Sequence, residues 1–350
     1  MWFFPFRMHF PALVATGLAL ACLVPVTVHG AFQPSAKPIP LSGVDTSIRT
    51  VWFSPDGAKV HGDFDQLVTW NLETRRVLST TSIPGRKVHP SLVTSDGTFW
   101  MQGSLGYDDP AKRDINRTHP ALVFGRLGDA LESIKTGSTV FGKGLFIPGS
   151  RKAVFVVFEK RRYSVRAYDV ATAKLSTTYV RLAKPRKRVP TDLAVSSDGK
   201  RLAVGLGGKE SGAAVYDVQT GARLHLHKTR AEVTSVSFVG EELLFSDLEG
   251  HIYRWKLGGK RARRAQLVLK CPMRIIHMAV DPSGESAVIG ALRGVHWVDL
   301  KQKKVRRQLL KSRAMDIRFS ADGTKVAIGV QKTLQLPKIP SVYVFVHSTR

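Results

Sequence analysis

Cysteine is nearly absent from this sequence, because Cys22 and Cys271 are the only two among 350 residues. So few thiols exclude a scaffold built on disulfides and a zinc or iron–sulfur site with several cysteine ligands. Segments with the 3.6-residue period of an amphipathic helix are also rare after residue 30, which argues against a helical fold. The remaining composition is globular: 43% of the residues are hydrophobic and 23% are charged, which excludes a wholly disordered chain.

Motifs of common enzymes and metal sites are missing as well. No glycine-rich phosphate loop lies between a strand and a helix, and neither a His-Glu-x-x-His motif nor a paired-cysteine motif occurs. His225 and His227 are two residues apart, so they would share one face of a strand and could hold a metal. No third ligand is evident, however. We therefore expect no catalytic residue, no metal and no cofactor, and we expect Cys271 to be a small buried thiol.

The first 30 residues have the features of a secretory signal peptide. Arg7 is their only formal charge, the stretch 12–28 is apolar, and Val28-His29-Gly30 precedes a predicted cleavage site before Ala31. We therefore predict a signal peptide over residues 1–30 and export to the periplasm or the extracellular space. Two alternatives stay open. The apolar stretch is near the short limit for a retained membrane anchor, and the sequence before Cys22 resembles a site of lipid attachment.

A turn motif recurs through the rest of the chain. Its glycines are 39 to 52 residues apart. Pro and Asp or Ser favour a turn, and Gly accepts a positive φ, so each copy predicts a hairpin turn. The copies are Ser54-Pro55-Asp56-Gly57, Ser95-Asp96-Gly97, Ile147-Pro148-Gly149, Ser197-Asp198-Gly199, Val239-Gly240-Glu241, Asp281-Pro282-Ser283-Gly284 and Ser320-Ala321-Asp322-Gly323.

Short alternating segments flank each turn and predict strands. Met315–Phe319 and Lys325–Val330 surround Gly323, and a further strand in most units ends in an aromatic residue followed by Asp or a near substitute, as in Ile252–Leu257. Four short strands in a unit of about 40 to 45 residues are typical of a propeller blade. We therefore predict an all-β protein, a single seven-bladed β-propeller with four-stranded antiparallel blades.

At these residues the sequence resembles the divergent members of the WD-repeat β-propeller family. Ala231–Gln266 is the most similar unit, with its Val-Ser-Phe strand, its Glu249-Gly250 turn and Trp255. The resemblance extends over about residues 43–350, although the Gly-His pair that often precedes the first strand in that family is missing. It implies a propeller fold and a role as a binding platform. Some propellers are lactonases or quinoproteins, so an enzyme that uses the central channel is the alternative.

The last unit shows only three strands, and the chain stops at Arg350. We predict that residues 36–44 supply the fourth, outermost strand, because this removes an exposed edge and because prolines are tolerated on edge strands. The predicted organisation is therefore a signal peptide (1–30), an extended leader and closing strand (31–42) and the propeller (43–350). The second unit also carries a long insertion, Gly103–His119, which is either functional or a neutral surface loop.

Positive charge is the strongest functional signal. There are 53 Lys and Arg against 27 Asp and Glu; without Arg7 the 53 become 52, and the net charge is +25. Such a field attracts polyanions. We expect the partner to be an acidic protein or an anionic envelope polymer rather than nucleic acid, whose recognition modules are not seen. Association with a membrane surface stays an alternative, and the protein is expected to be a monomer.

Strand direction predicts where the charges lie. The turns between strands one and two and between strands three and four share one face, here called the first face. The other turns and the connections between blades share the second face. The first face receives acids, namely Asp56, Asp96, Asp198, Glu241, Glu242, Asp281 and Asp322. The second face receives mainly bases, and we predict the binding site there at Lys160, Arg161, Arg162, Lys184, Arg186, Lys187 and Arg188.

Overall fold

A computed structural model of the chain describes residues 31–44, 47–63, 66–82, 92–93, 99–104, 121–126, 132–135, 139–159, 162–169, 174–181, 189–258, 264–332 and 339–348. The predicted signal peptide, Cys22 and most of the Gly103–His119 insertion lie outside these residues. Within these ranges the secondary structure is β-strand, and no helix has the length and apolar character needed to cross a bilayer.

The strands follow one another through short turns. In chain order they are β1 (Ile39–Leu41), β2 (Thr50–Phe53), β3 (Lys59–Asp63), β4 (Gln66–Asn71), β5 (Val77–Ser82), β6 (Leu92–Val93), β7 (Phe99–Ser104), β8 (Ala121–Arg126), β9 (Glu132–Lys135), β10 (Thr139–Phe146), β11 (Lys152–Glu159), β12 (Arg162–Asp169), β13 (Leu175–Arg181), β14 (Val189–Val195), β15 (Arg201–Gly207), β16 (Gly212–Asp217), β17 (Arg223–Lys228), β18 (Val233–Val239), β19 (Glu242–Asp247), β20 (His251–Lys256), β21 (Gln266–Lys270), β22 (Ile275–Val280), β23 (Ser286–Ala291), β24 (Gly294–Asp299), β25 (Lys304–Leu310), β26 (Ala314–Phe319), β27 (Lys325–Val330) and β28 (Val342–Val346).

Strand pairing among the described residues gives seven four-stranded sheets, all antiparallel. Sheets 1 to 6 consist of consecutive strands: β2–β5, β6–β9, β10–β13, β14–β17, β18–β21 and β22–β25. Sheet 7 has the order β1-β28-β27-β26. The first strands of neighbouring sheets contact each other from β10 through β14, β18, β22 and β26 to β2, so they form the inner wall of the assembly. The predicted all-β class with four-stranded antiparallel units is confirmed.

The two ends of the described chain meet in sheet 7. Strand β1 pairs with β28 as the outermost strand, the position at which the sequence analysis places residues 36–44. The pairing continues outside β1, because Pro34 bridges His347 and the Ser35 amide donates to the Val346 carbonyl. Arg307 of sheet 6 donates from Nη2 to the carbonyls of Pro34 and Ser35. The segment before β1 therefore ties two sheets together.

Turn chemistry follows the sequence prediction in the described turns, except that Ser196, not Ser197, is the bonding serine of the Gly199 turn. The glycines of six predicted turns have a positive φ, and these are Gly57, Gly149, Gly199, Gly240, Gly284 and Gly323. Three turns share one hydrogen-bond arrangement, in which the serine hydroxyl donates to the aspartate Oδ1 at 2.5 Å: Ser54–Asp56, Ser196–Asp198 and Ser320–Asp322. The same aspartate oxygen accepts the backbone N–H two residues further on. The Gly97 copy lies outside the described residues.

The hydrophobic core is divided into layers between neighbouring sheets. One layer packs Val154 and Tyr179 of sheet 3 against Leu193 and Val204 of sheet 4. Equivalent layers join sheets 4 and 5, 5 and 6, 6 and 7, and 7 and 1. Each fully buried Leu, Val or Phe contributes about 1.5–3 kcal/mol. The sheets therefore stabilise one another in sequence, and each presents its turns at the two faces.

Candidate binding surfaces

The residues predicted to bind an anionic partner fall mostly outside the described chain. Lys160, Arg161, Lys184, Arg186, Lys187 and Arg188 are not among the described residues. Arg162 begins β12, where its backbone pairs with Glu159 across the turn between the second and third strands of sheet 3. That turn belongs to the second face. Strand pairing therefore places the backbone of Arg162 at this face.

On the first face, five described basic side chains are paired with acids. Arg201 lies 2.7 Å from Glu241, which joins sheets 4 and 5, and Lys301 lies 3.0 Å from Glu285. Further pairs at this face are Arg254–Glu242, Lys256–Glu242 and Arg306–Asp299. Exposed pairs contribute little stability. They do show, however, that acids of this face offset part of its positive charge.

The turn aspartates of the first face also accept local hydrogen bonds. The Ser54 hydroxyl and the Ala58 amide lower the pKa of Asp56, and Ser196 and Lys200 do the same for Asp198. Burial opposes the shift at Asp322, yet its bonds to Ser320 and Thr324 still lower the pKa. These carboxylates therefore stay ionised and hold their turns.

The burial of Asp281 corrects the predicted charge distribution. It was expected to add an exposed acid to the first face, but it is 2% exposed. Its Oδ2 accepts the Phe32 amide and the Ser283 hydroxyl, and its Oδ1 accepts the Ser286 amide. A carboxylate with three donors is satisfied internally. Asp281 therefore fastens the N-terminal segment to sheet 6 instead of offsetting surface bases.

On the second face, five bases of sheets 5 to 7 are exposed and form no ion pair with a described residue. They are Lys270, Arg274, Arg293, Lys311 and Arg313. Glu249 is an exposed acid of the same sector. Its turn lies against the connection that carries Arg274, because the Cys271 amide donates to the Gly250 carbonyl at 2.8 Å. We name these five bases the basic sector.

Leu292 places an apolar group inside the basic sector. It is 57% exposed, in the turn between β23 and β24, next to Arg293. The Gln308 side chain donates to the Arg293 carbonyl at 3.0 Å, so this turn lies beside the end of β25, which leads to Lys311. The other exposed leucines, Leu78, Leu175, Leu224 and Leu267, lie on fourth, outermost strands. Leu292 alone among these five sits at the second face.

One buried carboxylate stabilises the second face at sheet 5. Asp247 is 1% exposed, and its oxygens accept the amides of Glu249 and His251 and the Tyr253 hydroxyl. The His251 Nδ1 lies 3.0 Å from Oδ2 of the same carboxylate. Burial, reinforced by Asp247, raises the pKa of Tyr253 to about 12. The tyrosine is therefore a neutral donor that helps to fix the turn.

The pair His225 and His227 packs against aromatic side chains. His225 meets Trp255 edge to face, and His227 lies within 6 Å of the rings of Phe245 and Tyr253. Burial lowers the pKa of both imidazoles, so they are neutral. No group of three His, Cys, Asp or Glu suited to a metal occurs among the described residues. Both histidines therefore join β17 to the next sheet.

Cys271 is buried, as predicted. It is 2% exposed in the connection between sheets 5 and 6, and burial raises the pKa of its thiol to about 11. A thiol of this kind is not a nucleophile at neutral pH.

A cavity of about 470 Å³ lies among the first strands of sheets 3 to 7. It extends from Asp192, His277 and Asp316 to the first-face turns at Pro148 and Pro282. Its volume falls within the range of small-molecule pockets. Arg318 lines it and donates from Nε to Asp316 Oδ2 at 3.2 Å. The carboxylate of Asp316, with that of Asp192, raises the Arg318 pKa above its usual value.

Comparison with known proteins decides the fold. The Cps50 (Swd1) β-propeller domain of Myceliophteria thermophila is similar in structure, with a TM-score of 0.68 and 13% sequence identity, over 90% of this chain and 100% of that one. The chain has a WD-repeat-like β-propeller fold. No protein-family model and no curated protein matches the sequence. At 13% identity the likeness shows the fold alone.

Sequence reasoning missed two features of this propeller. Arg318 was read only as part of an alternating strand, since nothing local reveals that its neighbours in other blades are small. Leu292 follows the buried strand β23 and reads as its continuation. A comparison of equivalent positions across the repeats would have revealed the unusual Arg318. The exposure of Leu292 depends on where strand β23 ends, which the sequence does not show.

Proposed function

We propose that this chain is an exported, non-catalytic propeller that binds an anionic partner through its second face, and that its seven sheets are the blades of one closed ring. The single observation that carries the binding role is the contrast between the faces. Five described bases of the first face are paired with acids, whereas the five bases of the basic sector are exposed and none has an ion pair with a described residue.

The chemistry of the second face favours a carboxylate-rich partner. Arginine forms bidentate hydrogen bonds with carboxylate or phosphate, and three of the five bases are arginines. The sector lies on the same face as the predicted site at Lys184–Arg188 and Lys160–Arg162. The partner is therefore an acidic protein or an anionic polymer of the cell envelope, and the composition of residues 1–30 supports export to that compartment.

Binding of fluorescent poly-glutamate to the mature protein, measured by anisotropy, tests the proposal. Replacing Arg274, Lys311 and Arg313 by Ala should weaken binding about tenfold or more, as should Ala at Arg186, Lys187 and Arg188. The matched control is Ala at Lys301, Lys303 and Lys304, which removes the same charge from the first face. Affinity should also fall as salt rises above about 0.15 M, where the screening length is about 8 Å. Equal losses from all sets would refute a preferred face.

Export has its own test. Mass spectrometry of the protein from its native host should find Ala31 at the N-terminus. An intact Met1 would contradict cleavage and indicate a retained membrane anchor. A diacylglyceryl group on Cys22 would indicate a lipoprotein.

A further inference from the structure

The central cavity exists because neighbouring blades place small residues at one level of the inner wall. Ala194, Ser237 and Ala279 occupy equivalent positions on β14, β18 and β22, one residue before the residue that pairs with the second residue of the next strand. The equivalent residue of β26 is Arg318. All four line the cavity of about 470 Å³. One long basic side chain thus extends into the space that three small ones leave.

Arg318 is held in place while part of its guanidinium stays available. Its side chain is 46% exposed, and its Nε lies 3.2 Å from Asp316 Oδ2. Nη1 and Nη2 form no hydrogen bond with a described residue. Asp316 Oδ2 also accepts the Val51 amide at 3.2 Å, whereas Oδ1 has no hydrogen bond with a described residue. The Asp316 side chain is 5% exposed, so the pair offers two donors and one largely buried acceptor at the cavity.

The charges of the cavity select among ligands. The guanidinium suits a carboxylate, which it can bind through both terminal nitrogens. Asp316, Asp192 and the hydrogen-bonded Asp281 line the same cavity, so a ligand with several negative charges would be repelled. A ligand with a carboxylate and an adjacent ammonium group complements both members of the Asp316–Arg318 pair. The remaining wall includes the partly exposed rings of Phe238 and Phe319, which suit an apolar side chain.

We propose that this cavity is a binding site for a small zwitterion, a free α-amino acid, whose carboxylate pairs with Arg318 and whose ammonium group pairs with Asp316. The ligand enters from the first face, so the site is separate from the second face and does not depend on the proposed function. The small residues at positions 194, 237 and 279 make room for it.

Thermal shift and calorimetry with the twenty free amino acids test the site on the wild-type protein. At least one amino acid should raise the melting temperature in a saturable way. Matched probes are its deaminated carboxylic acid, its decarboxylated amine, and 6-aminohexanoate, in which the two charges are far apart. These should bind at least tenfold more weakly.

Two variants locate the binding, and one serves as control. Arg318→Gln should weaken binding 10- to 100-fold, the range of a lost charge-assisted contact. Ala279→Leu should abolish binding by filling the cavity while leaving every charge in place. Arg254→Gln, on the first face outside the cavity, should bind like wild type. The proposal is overturned if no amino acid stabilises the wild type, if the simple carboxylate binds equally well, or if affinity is unchanged in both Arg318→Gln and Ala279→Leu.

Discussion

Oδ2 of Asp192 accepts the backbone amide of Val236, in the next blade, at 2.9 Å. The same link recurs between other blades: Ser235 Oγ accepts the Met278 amide at 2.9 Å, and Asp316 Oδ2 accepts the Val51 amide. A register shift precedes Asp192, Ser235 and Asp316 in each first strand. Bulges redirect side chains. Here they aim an acceptor at an amide that strand pairing within a blade leaves unpaired.

The first prediction concerns this link. Asp192→Ala leaves the buried Val236 amide without its acceptor, and the free energy of unfolding should fall by about 1–3 kcal/mol. Asp198→Ala, which removes an exposed turn carboxylate, should cost less than half as much. Urea denaturation measures both. Equal losses would mean that the inter-blade bond is no more important than a turn bond.

The second prediction ranks three glycine-to-alanine changes. Gly323 has a φ of 71°, and an added Cβ would lie 2.7 Å from Pro282 Cδ of the preceding blade, so this change combines backbone strain with a clash. Gly240 has a φ of 53° and open space, so only strain applies. Gly258 has open space and no positive φ. Melting temperatures should fall most for Gly323→Ala, less for Gly240→Ala and hardly for Gly258→Ala, and any other order contradicts the turn geometry.

The third prediction is a pH dependence from His61. This side chain stacks on Trp52, and its Nδ1 lies 2.9 Å from the Thr69 hydroxyl. Burial lowers its pKa from 6.5 to about 4. Between these values the unfolded chain takes up a proton that the folded chain does not. The contribution of neutral His61 to stability is therefore complete above pH 6.5 and is lost as the pH falls towards 4.

The loss should be on the order of 2–3 kcal/mol between pH 7 and pH 4. Urea denaturation at several pH values compares wild type with His61→Gln, and the difference between pH values, not the absolute stability, is the readout. The variant should lose less stability on acidification. An identical pH dependence would show that His61 is not buried in its neutral form.

The fourth prediction concerns the N-terminal segment. Phe32 is 1% exposed and packs edge to face on Phe319 at 5.1 Å, so Phe32→Ala should cost about 3–5 kcal/mol. Arg307→Ala removes the bonds to Pro34 and Ser35 and should cost less. Lys37→Ala, an exposed change in the same segment, is the control.

Deletion of residues 31–44 should destabilise the protein more than these single substitutions. It removes β1 and leaves the edge of β28 unpaired, which favours aggregation. Size-exclusion chromatography and thermal melting check this outcome. A truncated protein that stays monomeric with an unchanged melting temperature would mean that this segment does not close the last blade.

Much of the fold was accessible from the sequence because its signals are local. The turn residues around Gly57, Gly199 and Gly323 act within a few residues of chain, so their spacing predicted the repeated hairpins. The unfinished last unit indicated that a strand from the N-terminal segment is needed, since an edge has to be covered. The position of Cys271 in a buried connection followed from its apolar character.

Tertiary structure alone decided which charges are free and where the cavity lies. Asp281 reads as a surface acid, yet it is buried and its carboxylate accepts the amide of Phe32, 249 residues away. Arg318 becomes a cavity residue only because Ala194, Ser237 and Ala279 stand at the same level in three other blades. Such relations join residues far apart in the chain, and no local pattern encodes them. The sequence by itself determined the repeat and its turns, and packing between the blades determined which side chains are left to bind.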